Sequence, residues 1–251
     1  MSPDFDFEAT FNDNYFYFYT SRLTDELNLS DAAVVWSRLE LQPGERVLDA
    51  PCGHGRIANL LAAEGCAVVG VDAAEMFLDR ARADAEALGV DVDYRHGDLR
   101  VLPVVDGELD AAVSWFTSFG YFDDADNQAV LREYARVLKP GGRLLIEMLS
   151  RDNIIRRHTP APFAYVASVG DDQLIDQSTF DPITGRIETD RMIVRDGRVS
   201  RSHHFVRLLA ITEWTSWLAD AGFVEPRFVG HDGEPITLET ERLVVLATRG
   251  R

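Results

Sequence analysis

The sequence predicts an α/β fold: a doubly wound, mostly parallel sheet interrupted late in the chain by an antiparallel β insertion. Three observations predict it. Between Arg46 and Met148, short apolar runs alternate with amphipathic helical stretches, the rhythm of repeated strand–helix–strand units. The first of those strands ends in an acid and a glycine-rich turn, "VLDAPCGHGR". Past Ser150 the rhythm changes to period-two runs punctuated by "DPITG" and "RDG", which are hairpin signals.

Near the N-terminus, "NDNYFYFYTSR" holds an unbroken aromatic run, Tyr15 to Tyr19. As a strand it would turn Tyr15, Tyr17 and Tyr19 to one side and Phe16 and Phe18 to the other; a helix would scatter them. Leu23–Leu41 reads as helical. "RVLDA" is then the first strand, bounded by Pro43-Gly44 and Gly53, and "RIANLLAAEG" is a helix ending at Gly65. "CAVVGVD" is the second strand, and "AAEMFLDRARADAEALG" a helix closed by Gly89. "VDVDYRHGD" and "LDAAVSW" are the third and fourth strands. "DADNQAVLREYARVLKPGG" is a helix opened by acids and stopped by Pro140-Gly141-Gly142, with "RLLIEML" the fifth strand. After the insertion, about Pro160–Ala210, "TEWTSWLADAG" returns to helix with Thr212 as its N-cap. "FVEPRFVG" and "RLVVLATR" close the chain as a hairpin, making seven strands in the main sheet.

Charge and composition narrow the function. The 251 residues are 46% hydrophobic and carry a net charge of −17, with "RRH" at Arg156–His158 as the densest basic stretch. Phosphate backbones and anionic membranes demand a basic stripe, so neither is an expected partner. Two cysteines, Cys52 and Cys66, make neither a disulfide framework nor a four-cysteine metal site, and no metal centre is expected. No apolar run reaches the length of a membrane span, and the acidic N-terminus lacks a positive n-region. A cytoplasmic protein is the expectation.

Right-handed crossovers put the strand C-terminal ends on one edge, where such sheets bind ligands. Asp49, Asp72 and Asp98 end three successive strands there, and Gly53 and Gly55 let backbone approach a ligand closely. Asp72 can accept from the hydroxyls of a ribose. Asp98 can take an exocyclic amine of adenine, with Leu99 packed on the ring. Three acids suit a nucleoside without phosphates. A P-loop is excluded, since G-x-x-x-x-G-K-[ST] does not occur. The third glycine of a dinucleotide fingerprint falls at Ala58, a tolerated replacement, so a dinucleotide oxidoreductase stays open, as does a non-catalytic ligand-binding module.

"VLDAPCGHG", "VVGVD", "HGDL" and "ARVLKPGGRLLIE" together resemble the ordered motifs of class I S-adenosylmethionine-dependent methyltransferases, over about Arg46 to Met148. "YFYF" and "SWFTSFGYF" resemble a bacterial small-molecule subgroup similar to amino-sugar N-methyltransferases. The resemblance implies a Rossmann-like fold, S-adenosyl-L-methionine as cofactor and a small-molecule methyl acceptor. Residues 1–45 would be an N-terminal helical lid segment, 46–159 and 211–251 the cofactor-binding core, and 160–210 an insertion covering the acceptor site. Asp49 and Gly53, with Ala50 and Pro51, would border the methionine part of the cofactor. Asp72, with Ala73 and Met76, would hold the ribose, Asp98 and Leu99 the adenine, and Ser114 and Trp115 the sulfonium and adenosine. Tyr17, Tyr19 and Arg22 would form the lid, with Arg22 on the methionine carboxylate. Pro51 departs from the family's glycine there and removes a backbone donor.

Methyl transfer from a sulfonium is an in-line displacement, and a base is needed only when the acceptor must lose its proton early. Tyr121 can orient the acceptor. His158, His203, His204 and His231 lie in or near segments that could cover the site and any one could be a base, with His158 and His203 the candidates put forward. His203 and His204 face opposite ways in a strand, against a shared metal site. His54, in the glycine loop, points to a backbone role.

Overall fold

The computed structural model describes residues 10–19, 22–158 and 162–251. The extreme N-terminus, read above as lacking a targeting segment, lies outside these residues, as does Pro160, the first residue of the expected insertion. In chain order the elements begin with α1 (Asp13–Tyr19), α2 (Asp25–Leu39), β1 (Arg46–Asp49), α3 (Ala58–Ala63), β2 (Ala67–Asp72) and α4 (Glu75–Leu88). There follow β3 (Val92–His96), β4 (Leu109–Ser114), α5 (Asp124–Val137), β5 (Leu138–Leu149) and α6 (Arg151–His158). Four strands come next: β6 (Phe163–Val169), β7 (Asp172–Asp181), β8 (Arg186–Arg195) and β9 (Arg198–Arg207). The chain closes with α7 (Ile211–Asp220), β10 (Phe223–Gly230) and β11 (Arg242–Arg249).

The main sheet runs β10-β11-β5-β4-β1-β2-β3. β1 to β5 run parallel to one another, and β11 is antiparallel to both β5 and β10. Strand residues alternate between two apolar layers, as the pleat requires. Leu48, Leu144, Ile146, Leu243 and Val245 join Val130, Leu131 and Tyr134 of α5 and Trp214 and Leu218 of α7 on one face. Val47, Leu145, Val244 and Leu246 join Val35 and Leu39 of α2 and Leu61 of α3 on the other. The strand order reverses between β1 and its neighbour β4, which puts the ligand crevice at the C-terminal ends of β1, β2 and β4.

The insertion is a separate antiparallel sheet, β6-β7-β8-β9. Its last hairpin turns through Asp196 and Gly197, both at positive φ, as the "DG" signal implies. The seam with the core is tight at Gly120, which sits at φ +101 and accepts a hydrogen bond from the Arg207 N–H at 2.7 Å.

Local details differ from the sequence reading for physical reasons. The aromatic run is a helix, capped by the Asn12 carboxamide oxygen on the Asn14 N–H. α7 starts after Ala210, not Thr212, because the Glu213 carboxylate, held by Arg207, accepts the Ala210 N–H at 2.7 Å. α5 ends at Val137, before Pro140-Gly141-Gly142, and the chain is already extended at Leu138. A proline disfavours helical geometry at the residue before it, which helps bring the helix to an early stop. α6 was not anticipated.

Candidate functional site

A cavity of about 1110 Å³ opens where the strand ends, α1 and the inner face of the insertion meet. Its volume sits slightly above the roughly 300–1,000 Å³ typical of a single-ligand pocket. It has two unlike halves.

The first half is the turn after β1. The backbone is fastened to both neighbouring strands, with Ala50 N–H donating to Val113 and Cys52 N–H to Val71. The peptide between Ala50 and Pro51 is cis. The two glycines do different work. At Gly53 (φ +53) an added Cβ would meet nothing within 4 Å among the described residues, so this position is open. At Gly55 it would lie 2.1 Å from the Tyr94 hydroxyl, so that glycine serves the packing of the turn against β3. Asp72 accepts from Gly53 N–H and from Ala74 N–H, each at 2.8 Å. It therefore ties β2 to the glycine turn and also caps the approach to α4. Burial raises its carboxyl above the ordinary range. Asp49 accepts from Ala58 N–H at 3.1 Å, and burial pushes it up to about 7 despite nearby Arg56.

Asp98 and Leu99 line the same half. Asp98 is bound to the Arg100 guanidinium, which also reaches Asp126. Burial works to raise the Asp98 carboxyl, but the Arg100 hydrogen bonds outweigh it and hold the group below its ordinary value. Trp115 lies 5.6 Å from the His231 ring, and Phe116 and Thr117 follow it at φ 66 and 56. Two successive non-glycine residues in that region carry strain. Buried Glu147 stabilises the bend by accepting the Phe116 N–H at 2.8 Å while bound to Arg242.

The second half is α1 and the insertion. Residues four apart share a helix face, so Tyr15 and Tyr19 stack at 4.3 Å and line the cavity. Tyr17 faces the other way. Its hydroxyl donates to Asp172 at 2.9 Å and its ring lies under the Arg195 guanidinium. Arg22 lines the cavity with its guanidinium 4.9 Å from the Tyr165 ring. Tyr121 is there too, its hydroxyl pushed up by burial, and His158 stacks on Phe163 at 3.9 Å.

The structure thus brings Arg22, Asp49, Pro51, Gly53, Asp72, Ala73, Asp98, Leu99, Trp115, Tyr121 and His158 to one cavity. Five expected residues are not among its lining. Tyr17 is turned outward by the helical period. Ala50 is fully buried, its carbonyl accepting from the Tyr134 hydroxyl. Ser114 is fully buried within β4, one residue short of the edge. Met76 is exposed on α4. His203 projects from the outer face, between Asp190 at 2.9 Å and Glu188 at 3.0 Å. Its neighbour His204 faces inward, as strand alternation demands.

Sequence reasoning missed Arg56 and the Asp176–Arg191 pair, and it put His203 ahead of its inward neighbour His204. Arg56 binds Asp31 at 2.6 Å with both side chains buried, and its Nη2 is buried with no hydrogen-bond partner among the described residues. His54 also lines the cavity, held near pKa 4 by burial and Arg56. The signal for the Asp176–Arg191 pair was the inward row of β7 and β8, where two polar residues interrupt an apolar alternation.

Comparison with known proteins bears on the first half. A family described as a methyltransferase domain matches residues 47–142. Residues 47–142 are thus similar to a methyltransferase domain. The sequence is 42% identical over 110 residues to a demethylmenaquinone methyltransferase of Thermus thermophilus, covering 43% of this chain and 48% of that protein. The chain thus spans about half the length of that curated relative. Beyond the methyltransferase domain, the fold as a whole matches an S-adenosylmethionine-dependent methyltransferase from Clostridium acetobutylicum. The TM-score is 0.77 at 18% identity, over 95% of this chain and 97% of that one. It also matches S-adenosylmethionine-bound CalS10, an amino pentose methyltransferase from Micromonospora echinaspora, with TM-score 0.65 at 20% identity, over 94% of this chain and 97% of that one. The likeness of fold extends over the Rossmann-like core and the insertion together.

Proposed function

We propose that the chain is an S-adenosylmethionine-dependent methyltransferase that modifies an N, O or C atom of a small molecule. The observation that carries the reading is the turn after β1 in a methyltransferase domain: Gly53 open beside two buried acids, Asp49 and Asp72. The residues suit the cofactor. A cationic ligand relieves the cost of ionising Asp49, while a pyrophosphate would meet acids where a phosphate site offers N–H groups. That favours this cofactor over a dinucleotide.

S-adenosylmethionine supplies a methyl group already activated on a sulfonium. Asp72 and Asp98 hold the nucleoside side, with Leu99 and Trp115 supplying apolar contact. Asp49 and Arg56 stand on the glycine turn as an anion and a cation for the two charges of an amino acid. Tyr15, Tyr19 and Arg22, from the lid segment 1–45, close the cavity, and the insertion 160–210 covers the acceptor. Closure excludes water and aligns the reactants, the main demand of an in-line displacement. His158 is lowered by burial and by Arg157, so it is neutral at pH 7 and able to accept a proton from a hydroxyl acceptor. A neutral amine needs no such help. The relatives are named for a demethylmenaquinone and an amino pentose, so they leave the methylated atom open.

The chain works on metabolites in the cytoplasm and not on nucleic acid or membranes, a reading supported by its net charge of −17. Among the described residues no helix is long and apolar enough to cross a membrane. Incubation with labelled S-adenosylmethionine and a panel of amines, phenols and alcohols tests the reading. Label in a small molecule, with S-adenosylhomocysteine released, is expected; folded protein that binds neither compound would overturn it.

A further inference from the structure

The inner face of the insertion breaks the pattern of a structural sheet face. Its inward residues on β7 are Leu174, Asp176, Ser178 and Phe180, and on β8 Ile187, Thr189, Arg191 and Ile193, all buried. Each strand is apolar at its ends and polar in its middle. Ser178 pairs in register with Thr189, and Thr189 with His204 of β9; Asp176 pairs with Arg191. The five polar side chains form one patch, and each lines the cavity. Burying five polar groups opposes folding unless partners repay the lost hydration, and local rules are broken in this way mainly at functional sites.

The partners on hand decide what the patch can receive. Arg191 and Asp176 face each other through two hydrogen bonds of 2.8 Å, with side-chain exposures of 5% and 9%. Their charges cancel within the patch. The Ser178 and Thr189 hydroxyls bond each other at 2.9 Å, which leaves each with further hydrogen-bonding capacity. His204 is 8% exposed, and its Nδ1 is buried without a hydrogen-bond partner among the described residues. Burial, and then Arg191, lower the imidazole to about 4, so it adds no charge at pH 7. Tyr15 and Tyr19 supply aromatic faces in the same cavity.

We propose that this patch is the platform on which the methyl acceptor lies, that it takes an uncharged cyclic molecule bearing hydroxyl or carbonyl groups, and that His204 Nδ1 makes a direct hydrogen bond to it. The proposal rests on the methyltransferase reading above and names the acceptor class for that same site. An ionised group placed here would shed its water and find each counter-charge already engaged in a bidentate pair. A neutral hydroxyl or carbonyl satisfies His204 and the hydroxyl pair without that loss, and the tyrosine faces cover the ring.

Three probes that share a phenol ring and differ in the charged or neutral group at the meta position test it: 3-hydroxybenzyl alcohol, 3-hydroxybenzoate and 3-(aminomethyl)phenol. Each is titrated by ligand-observed NMR into protein saturated with S-adenosylhomocysteine. The neutral alcohol is expected to bind at least about 5-fold more tightly than either charged probe. His204→Phe should weaken it about 10-fold, the loss of one buried hydrogen bond, and His204→Gln should recover part of that. S-adenosylhomocysteine affinity should stay within about 2-fold in both variants, which separates a lost contact from a lost fold. Preference for a charged probe, no binding of any probe, or an unchanged neutral affinity in His204→Phe would overturn the platform while leaving the methyltransferase reading intact. Failure of the wild type to bind S-adenosylhomocysteine would overturn both.

Discussion

The two halves of the cavity handle charge in opposite ways. At the strand ends, Asp49 and Asp72 are buried, without a salt-bridge partner among the described residues, and shifted upward by burial. On the insertion, Arg191 and Asp176 are as deeply buried and fully paired. Unpaired buried acids are costly and select a cation; a cancelled pair is indifferent to charge and selects shape and hydrogen bonds. A reaction between a charged cofactor and a neutral acceptor has use for both, side by side.

The comparison breaks most readily at Asp72. Asp72→Ala removes the acceptor that organises the turn after β1 and should weaken S-adenosylhomocysteine binding at least about 100-fold by calorimetry. Loss of under 10-fold would mean that this half does not select the nucleoside.

The seam between the halves should be nearly as sensitive. At Gly120 an added Cβ would lie 2.5 Å from the Arg207 carbonyl oxygen, at a φ of +101. Gly120→Ala should cost roughly 2–4 kcal/mol in urea denaturation. An unchanged midpoint would show that the insertion docks elsewhere.

Asp49 gives the comparison a pH signature. Its folded pKa of about 7 lies above the ordinary 3.8, so the folded state holds the proton more tightly. Stability therefore falls as pH rises from about 4 to 7 and then levels. Asp49→Asn should flatten that slope, leaving the part due to Asp72, and be more stable than wild type above pH 7, by roughly 1–4 kcal/mol, while binding cofactor more weakly. Parallel pH profiles in urea denaturation would contradict the assignment.

The smallest effects belong to residues that the folded chain turns away. His203→Ala and Tyr17→Phe should each change S-adenosylhomocysteine affinity less than about 2-fold, since neither side chain lines the cavity. A larger loss in Tyr17→Phe would show that docking of the helix on Asp172 governs closure.

The same contrast explains what was legible in advance. The succession of strands and helices and the acids Asp49, Asp72 and Asp98 follow from local signals, because period, turn residues and strand ends are properties of short segments. Asp176, Thr189, Arg191 and His204 meet only through register between strands, and no short segment carries that information. Tyr17 and Tyr19 were grouped together because five aromatics read as well in alternation as in a helix; the helical period separated them. His203 rather than His204 was a choice of face, decided only by which side of the sheet meets the core.

Titration of the folded wild type with S-adenosylhomocysteine and, separately, with NAD tests the central claim most directly. The account predicts saturable binding of S-adenosylhomocysteine at one site and none of NAD. Binding of NAD with no response to S-adenosylhomocysteine would contradict it.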